Sequence, residues 1–305
     1  MRPNGTTNNL PINLSQNQIR LVFQRMNRYI GRLSKSLEAG NVHRFRTNSR
    51  RVEAVLDQLA PESRNKKKLL KLISKLRKRA GKLRDLDVQT AYLKGLRLPD
   101  RQNHRAQLLD FLAQEHARRT RKLARAFSAE TVRELRKRLR REQAELKVDG
   151  IKPLRVATNL LPKPGQVPMT EKTLHACRIA GKHARYIAEL AGDTPEARLF
   201  IEELKRAQDA IGDWHDIVKL KQKAEKRFGS ASDSALVSML QNVSRARFRA
   251  ACNALASTLS ALSRQPVLHR RPPSPPHHMA ASEVVTGRVA PKNSFPQITQ
   301  TRAVA

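Results

Sequence analysis

Two segments of the sequence carry a histidine followed by two basic residues at matching spacings. The first basic stripe consists of His43, Arg46 and Arg50, and the second consists of His175, Arg178 and Lys182. At about 100° per residue, helical offsets of zero, three and seven fall within an arc of ~60°, so each trio points to one side. Their guanidinium, ammonium and imidazole groups supply N–H donors and positive charge, which is the chemistry that binds anionic oxygens.

Each basic stripe is followed by an aspartate that lies four residues after a glycine. Gly81 precedes Asp85, and Gly212 precedes Asp216. Asp85 lies 42 residues after the first histidine and Asp216 lies 41 residues after the second, so two features recur in register. We expect both aspartates to support the basic side chains by orienting them or pairing with them.

Metal binding is a competing interpretation of the acidic residues. Asp85 and Asp87 lie two positions apart, and on a helix such side chains diverge by ~200°, so they do not easily share one ion. Cys177 and Cys252 lack Cys-x-x-Cys or Cys/His spacing, which argues against both a zinc site and a disulfide framework. The sequence therefore predicts no metal, no cofactor and no catalytic residue.

A basic helix face is most often just a solvated surface, and that interpretation must be weighed against binding. The histidine at the head of each stripe argues against it, because imidazole is mostly uncharged at neutral pH and adds little to solubility. The repetition of the whole pattern argues against it again. Together these features favour two helices that present a binding surface.

Helices are expected to position the stripes, since Leu, Ala, Arg, Lys and Glu dominate and no segment alternates like a strand. Apolar residues such as Phe45, Val52, Ala184 and Ile187 lie opposite the stripes and predict a buried face. Breakers place helices at about 15–37, 41–60, 62–96, 101–126, 129–147, 170–191, 195–228 and 232–262. The predicted fold is all-α.

The domain boundaries follow from the same breakers. Residues 15–263 are predicted to form one helical domain with halves at about 15–148 and 169–263, joined by a Pro- and Gly-rich linker at 149–168. Residues 1–14 and the Pro-rich residues 264–305 have no helical period and are predicted to be disordered tails.

The charge balance identifies the class of partner. The chain has 61 Lys and Arg against 26 Asp and Glu, a formal net charge of +35, which calls for a polyanion. Nucleic acid, polyphosphate and an anionic membrane surface are the candidates. Aromatic residues make up 4%, too few to supply the stacking platforms typical of single-stranded nucleic acid binding. No transmembrane span or signal peptide is evident, so a cytoplasmic location is expected.

The motifs together strongly resemble the CHAD family, the conserved-histidine α-helical domains, over roughly residues 15–263. The resemblance is carried by Val42-His43-Arg44-Phe45-Arg46, Leu83-Arg84-Asp85-Leu86-Asp87-Val88, Leu174-His175-Ala176-Cys177-Arg178 and Ile211-Gly212-Asp213-Trp214-His215-Asp216. It implies two pseudo-symmetric helical bundles, a tandem repeat, around a basic central channel or groove that binds inorganic polyphosphate, often at cytoplasmic granules.

By this resemblance the polyphosphate-binding residues are His43, Arg46, Arg50, Arg51, Arg84, His175, Arg178, Lys182 and Arg185, with Asp85 and Asp216 in support. One departure is His183, which stands where the family usually has a second basic residue after Lys182. Some family members are fused to a triphosphate-cleaving domain, but the Glu-x-Glu-x-Lys segment of that domain is absent here, so the chain is not expected to be an enzyme.

The alternative is a nucleic-acid-binding protein that uses the same basic surface. Lys66-Lys67-Lys68 and Arg136-Lys137-Arg138 permit it, although no RNA-binding module is recognisable. For polyphosphate, a nearby polyanion favours protonated histidine, so binding is expected to be tighter at mildly acidic pH.

Overall fold

The computed structural model describes residues 16–97, 102–165 and 168–264, and in these ranges the chain is helical and has no strand. The helices are α1 (Gln16–Leu33), α2 (Ala39–Leu59), α3 (Arg64–Gly95), α4 (His104–Ala126), α5 (Ala129–Glu145), α6 (Pro153–Asn159), α7 (Glu171–Ala188), α8 (Pro195–Phe228) and α9 (Ala235–Ser263). The predicted all-α fold is confirmed. None of these helices is long and apolar enough to cross a membrane.

Side-chain caps explain where the two longest helices begin. The Ser63 hydroxyl accepts a hydrogen bond from the Lys66 amide at the start of α3, and the Thr194 hydroxyl accepts one from the Ala197 amide at the start of α8. Pro195 occupies the first turn of α8, where its missing N–H costs nothing. The predicted bounds of α8 therefore agree with the structure.

Two predicted boundaries were wrong. The first helix ends at Leu33 rather than Leu37, and the hydroxyl of Ser34 donates to the Gly31 carbonyl just beyond that end. Gly40, which falls between the first two predicted helices, lies in the first turn of α2. The segment at 149–168 also contains a helix that was not predicted, α6, which begins at Pro153 because proline is tolerated in a first turn.

The helices that carry the repeated motifs contact their counterparts. α2 packs against α7, and α3 packs against α8, while α4 covers α3 and α9 covers α8. The apolar faces opposite the stripes are buried, including Phe45, Val52, Ala184 and Ile187. The predicted pseudo-symmetry of the two halves stays a prediction.

The apolar core has three parts, and α3 and α8 contribute to more than one of them. The largest lies among α1, α2, α3, α5 and α7, the second joins α3 and α4 to α8 and α9, and the third joins α7, α8 and α9. Helices of 32 and 34 residues span about 50 Å at 1.5 Å per residue, long enough to reach across all of these regions. The predicted tails at 1–14 and 264–305 lie outside the described residues except for Arg264.

Candidate functional site

The packing of α2 against α7 brings the two basic stripes to a common site. The Arg50 guanidinium is close enough to both Arg178 and Lys182 to lower their pKa values, Arg46 also lowers the pKa of Lys182, and Arg178 lowers that of Arg46. Thus four predicted cations from two helices face one another. We call Arg46, Arg50, Arg178 and Lys182 the central cluster.

Lys182 shows most clearly what this crowding does. Burial is the largest cause that lowers the pKa of its ammonium to about 6, followed by the charges of Arg178, Arg50 and Arg46. In water the pKa of lysine is about 10.4. Because the pKa of Lys182 is about 6, its side chain is mostly neutral at pH 8 in the free protein. Burial likewise lowers the pKa of the Arg178 guanidinium.

Asp85 on α3 is the main carboxylate of the site. It lies 3.8 Å from a terminal nitrogen of Arg46 and 2.8 Å from the Lys219 ammonium of α8. The guanidinium of Arg46 lies over Gly81, one turn earlier on α3, and a Cβ at this glycine would be 3.6 Å from it. That distance is an ordinary van der Waals contact, so the Gly-x-x-x-Asp motif places one helical turn of α3 against the Arg46 side chain and pairs its aspartate with the guanidinium.

Asp216, the counterpart of Asp85, has a different environment. It forms no ion pair within 4 Å among the described residues, and burial raises the pKa of its carboxyl group despite nearby Arg178 and Lys219. Its glycine partner, Gly212, has no neighbouring side chain within 4 Å of an added Cβ. The structure brings Asp85 and Asp216 to the same site, where the charge of Asp85 helps to raise the pKa of Asp216.

A third row of basic side chains on α8 was not among the predicted binding residues. The α8 row consists of His215, Lys219 and Lys223, four residues apart, which places them on one helical face. The His215 ring lies 5.3 Å from the His175 ring, centroid to centroid, and the Lys223 ammonium donates to the Gln89 side chain at 2.6 Å. The regular spacing after His215 was the signal that could have identified this row from the sequence.

Burial favours the neutral form of four histidines at the site. Burial is the first cause that lowers the pKa of His43 and of His175, and in each case neighbouring cations add to it. Burial and the Arg178 and Lys219 charges lower the pKa of His215 to about 3. Burial also lowers the pKa of His183, the residue that departs from the family pattern.

Two predicted binding residues are engaged with a carboxylate at the edge of the site. Arg51 donates to Glu189 through Nε at 2.6 Å and through a terminal nitrogen at 3.2 Å, while Arg185 lies 3.8 Å from the same carboxylate. Both guanidinium groups also lie over the Tyr186 ring, 5.5 and 5.1 Å from its centroid. These contacts orient the two arginines without using all of their donors.

The remaining predicted residue, Arg84, lies beside the first stripe. Its charge helps to lower the pKa of His43, and it lies 3.8 Å from Asp87, which also accepts a hydrogen bond from His116 at 3.0 Å. Sequence analysis predicted a structural role for neither Asp87 nor His116. No group of three His, Cys, Asp or Glu residues suited to a metal ion occurs in the described ranges.

Several donors of the site are buried without a hydrogen-bond partner. Within the described parts of the chain, this holds for the Nε atoms of Arg46, Arg178 and Arg185. A buried donor without a partner costs roughly 1–3 kcal/mol. An anion that enters the cluster would satisfy these donors and screen the mutual repulsion of the cations.

A family model and solved structures are similar to this chain. The family model described as "CHAD domain" matches residues 17–225. The crystal structure of the CHAD domain from the plant Ricinus communis superposes with a TM-score of 0.58 at 16% identity, covering 83% of this chain and 94% of that one. PptA from Streptomyces chartreusis gives 0.58 at 14% identity, covering 83% of this chain and 100% of that one.

At these identities the two structures establish likeness of fold alone. None of the curated proteins matches the sequence significantly.

Proposed function

The chain belongs to the CHAD domain family, and from this premise we propose that it binds inorganic polyphosphate in the central cluster without catalysing a reaction. The resemblance found in the histidine motifs is confirmed. The same proposal includes a cytoplasmic location at polyphosphate granules, which rests on the family alone.

The observation that carries the proposal is that the four cationic side chains of the central cluster meet at one site. Two of them, Arg46 and Arg178, have a buried Nε donor without a hydrogen-bond partner. Arg46 and Arg178 come from different helices and different halves of the chain, yet the charge of Arg178 helps to lower the pKa of Arg46. Such an arrangement is unfavourable by itself, because like charges in a partly desolvated site repel. A chain of phosphates offers several anionic oxygens at once, and arginine meets them with a planar fork of donors.

The aromatic side chains of the site favour polyphosphate over nucleic acid. Tyr186 is buried, and the guanidinium groups of Arg51 and Arg185 lie over its ring. Trp214 is also buried. Since neither ring is open for a base to stack on, the site is suited to a polyanion that consists of phosphates alone.

Charge reversal in the central cluster tests the proposal. We expect the double variant Arg46→Glu/Arg178→Glu to bind long-chain polyphosphate about 100-fold more weakly or worse, because each charge-assisted contact contributes roughly 1.5–3 kcal/mol. Affinity is measured by titration at fixed ionic strength, since such binding depends strongly on salt. Helical circular dichroism and thermal unfolding show whether the variant remains folded.

The matched control is Arg25→Glu/Arg28→Glu, which reverses two exposed charges on α1. Equal loss in both variants would mean that general charge, not the central cluster, holds the ligand, and the proposal would fail. Displacement of polyphosphate by RNA at much lower concentrations would favour the nucleic-acid alternative. Release of orthophosphate by the pure protein with Mg²⁺ or Mn²⁺, abolished by Asp85→Ala, would instead identify an enzyme.

A further inference from the structure

A separate set of cations lines an open cleft between α3 and α4. The cleft has a volume of about 390 Å³, and its lining residues are Arg79, Lys82, Arg119, Lys122 and Arg125. That volume falls within the range of about 300–1,000 Å³ typical of ligand pockets. None of these five side chains was a predicted binding residue.

Carboxylates neutralise little of the charge in this cleft. Of the five side chains, only Arg119 forms an ion pair with a described residue, 3.3 Å from Nε to a carboxylate oxygen of Glu115, which also pairs with Arg118. The other four are exposed and have no carboxylate within 4 Å in the described ranges. The five positive charges share one carboxylate, so the cleft has net positive charge that would attract an anion.

The lining defines the chemistry of the ligand. Arg and Lys side chains donate hydrogen bonds and accept none, so the cleft has no side-chain group that recognises a donor on a ligand. It also has no aromatic ring on which a base or a sugar could stack. The matching ligand is therefore a dense, acceptor-only anion such as a phosphate chain.

The α8 row connects this cleft to the central cluster. Lys219 pairs with Asp85 of the central site, and Lys223 lies one turn further along the same face. Burial is the main cause that lowers the pKa of Lys223; the charges of Asp85 and Glu115 raise it and those of Arg119 and Lys219 lower it, so charged groups of the central site and of the cleft both act on this lysine. From His215 to Lys223 the row extends about 12 Å along α8, at 1.5 Å per residue.

The cleft and the central cluster also share α3. Gly81 lies against the Arg46 guanidinium, while the next residue, Lys82, lines the cleft. Positive side chains therefore continue from the stripe helices, along α8, to the space between α3 and α4. A single extended polyanion would meet donors along this whole route.

We propose that the α3–α4 cleft is a second subsite for the same phosphate polyanion, reached along the α8 row. This inference rests on the proposed function. A chain too short to leave the central cluster does not use the cleft, whereas a long chain binds both regions at once and gains affinity through effective concentration.

The double variant Lys122→Ala/Arg125→Ala tests the subsite, with Arg25→Ala/Arg28→Ala on α1 as the control of equal charge change. Each is titrated with tripolyphosphate and with long-chain polyphosphate over a series of salt concentrations. For long chains we expect the cleft variant to bind about tenfold more weakly than the control. The slope of log affinity against log salt concentration should be shallower by roughly 1.5, because each lost phosphate contact removes about 0.7–0.9 from it. For tripolyphosphate the two variants should be equal.

The outcomes separate this inference from the proposed function. If the cleft variant matches the control on long chains, the second subsite is wrong, while Arg46→Glu/Arg178→Glu still tests the central cluster by itself. If the cleft variant loses both ligands equally, the cleft is not a separate subsite and the inference is also overturned. A parent protein that retains neither ligand contradicts both proposals.

Discussion

The two copies of the basic stripe meet at one site but differ in their local electrostatics. In the first copy, Asp85 pairs with Arg46 and Lys219. In the second, Asp216 forms no such pair among the described residues, and burial raises the pKa of its carboxyl group. The third stripe position is Arg50 in the first copy and Lys182 in the second, where the pKa is lowered to about 6. A repeated motif thus fixes where side chains lie, but not how charged each one is.

The difference between Arg50 and Lys182 predicts the largest effect, a pH dependence of binding. The free protein loses the Lys182 proton above about pH 6, and a bound polyanion restores it, so binding takes up a proton. Affinity for polyphosphate is therefore expected to fall by up to roughly 50-fold from pH 6 to pH 8, since one fully coupled proton changes affinity tenfold per pH unit. Titration at several pH values and constant ionic strength measures it.

The variant Lys182→Arg should flatten this profile, because arginine keeps its charge across the range. The reciprocal variant Arg50→Lys should steepen it by placing a second titratable group among the same cations. The lowered pKa values of His43 and His175 shift the expected contribution of the histidines to below pH 6.5. A parent profile that is flat, or that Lys182→Arg leaves unchanged, contradicts this assignment.

The two aspartates predict a smaller difference, in stability. Asp85→Asn removes the carboxylate that holds Arg46 and Lys219, so we expect the free energy of unfolding to fall by about 1–2 kcal/mol. Asp216→Asn removes a charge that burial already disfavours, and a change within about 0.5 kcal/mol is expected. Urea unfolding without polyphosphate compares the two variants, which alter net charge equally. Equal destabilisation would show that the two carboxylates contribute equally to the free energy of unfolding, which would contradict this prediction.

The fold could be predicted well from the sequence because its signals are local. The Thr194 cap and Pro195 at the start of α8 are short-range features, and they give its first residue correctly. Gly40 was misjudged because an isolated glycine is tolerated in a first turn, and α6 was missed because its two turns lie in a segment rich in Pro and Gly.

Much of the site depends on contacts between helices that are distant in sequence. The pairing of Lys219 with Asp85 joins residues 134 positions apart, and no motif spacing predicts it. The contact of Arg51 with Glu189 is similar, at 138 positions. The stripes themselves were visible because each lies within a single helix. Tertiary packing adds two features. It buries Lys182, which lowers the pKa of that group, and it brings five cations together in the α3–α4 cleft.

The two glycines of the repeated motif predict the smallest effect. Both lie inside helices, where Gly→Ala stabilises by up to about 1 kcal/mol. Gly212→Ala meets no side chain within 4 Å and should show this gain without changing polyphosphate affinity. Gly81→Ala adds a methyl group 3.6 Å from the Arg46 guanidinium, so it should weaken binding about two- to threefold by restricting that donor fork.

Thermal unfolding and titration of both alanine variants measure these changes. If Gly81→Ala binds as tightly as Gly212→Ala, the space over Gly81 matters only for packing. If Gly212→Ala binds polyphosphate more weakly than Gly81→Ala, the glycine of the second motif copy matters more for binding than the glycine next to Arg46. In either case the comparison tests whether the first glycine is required for an arginine that binds the ligand.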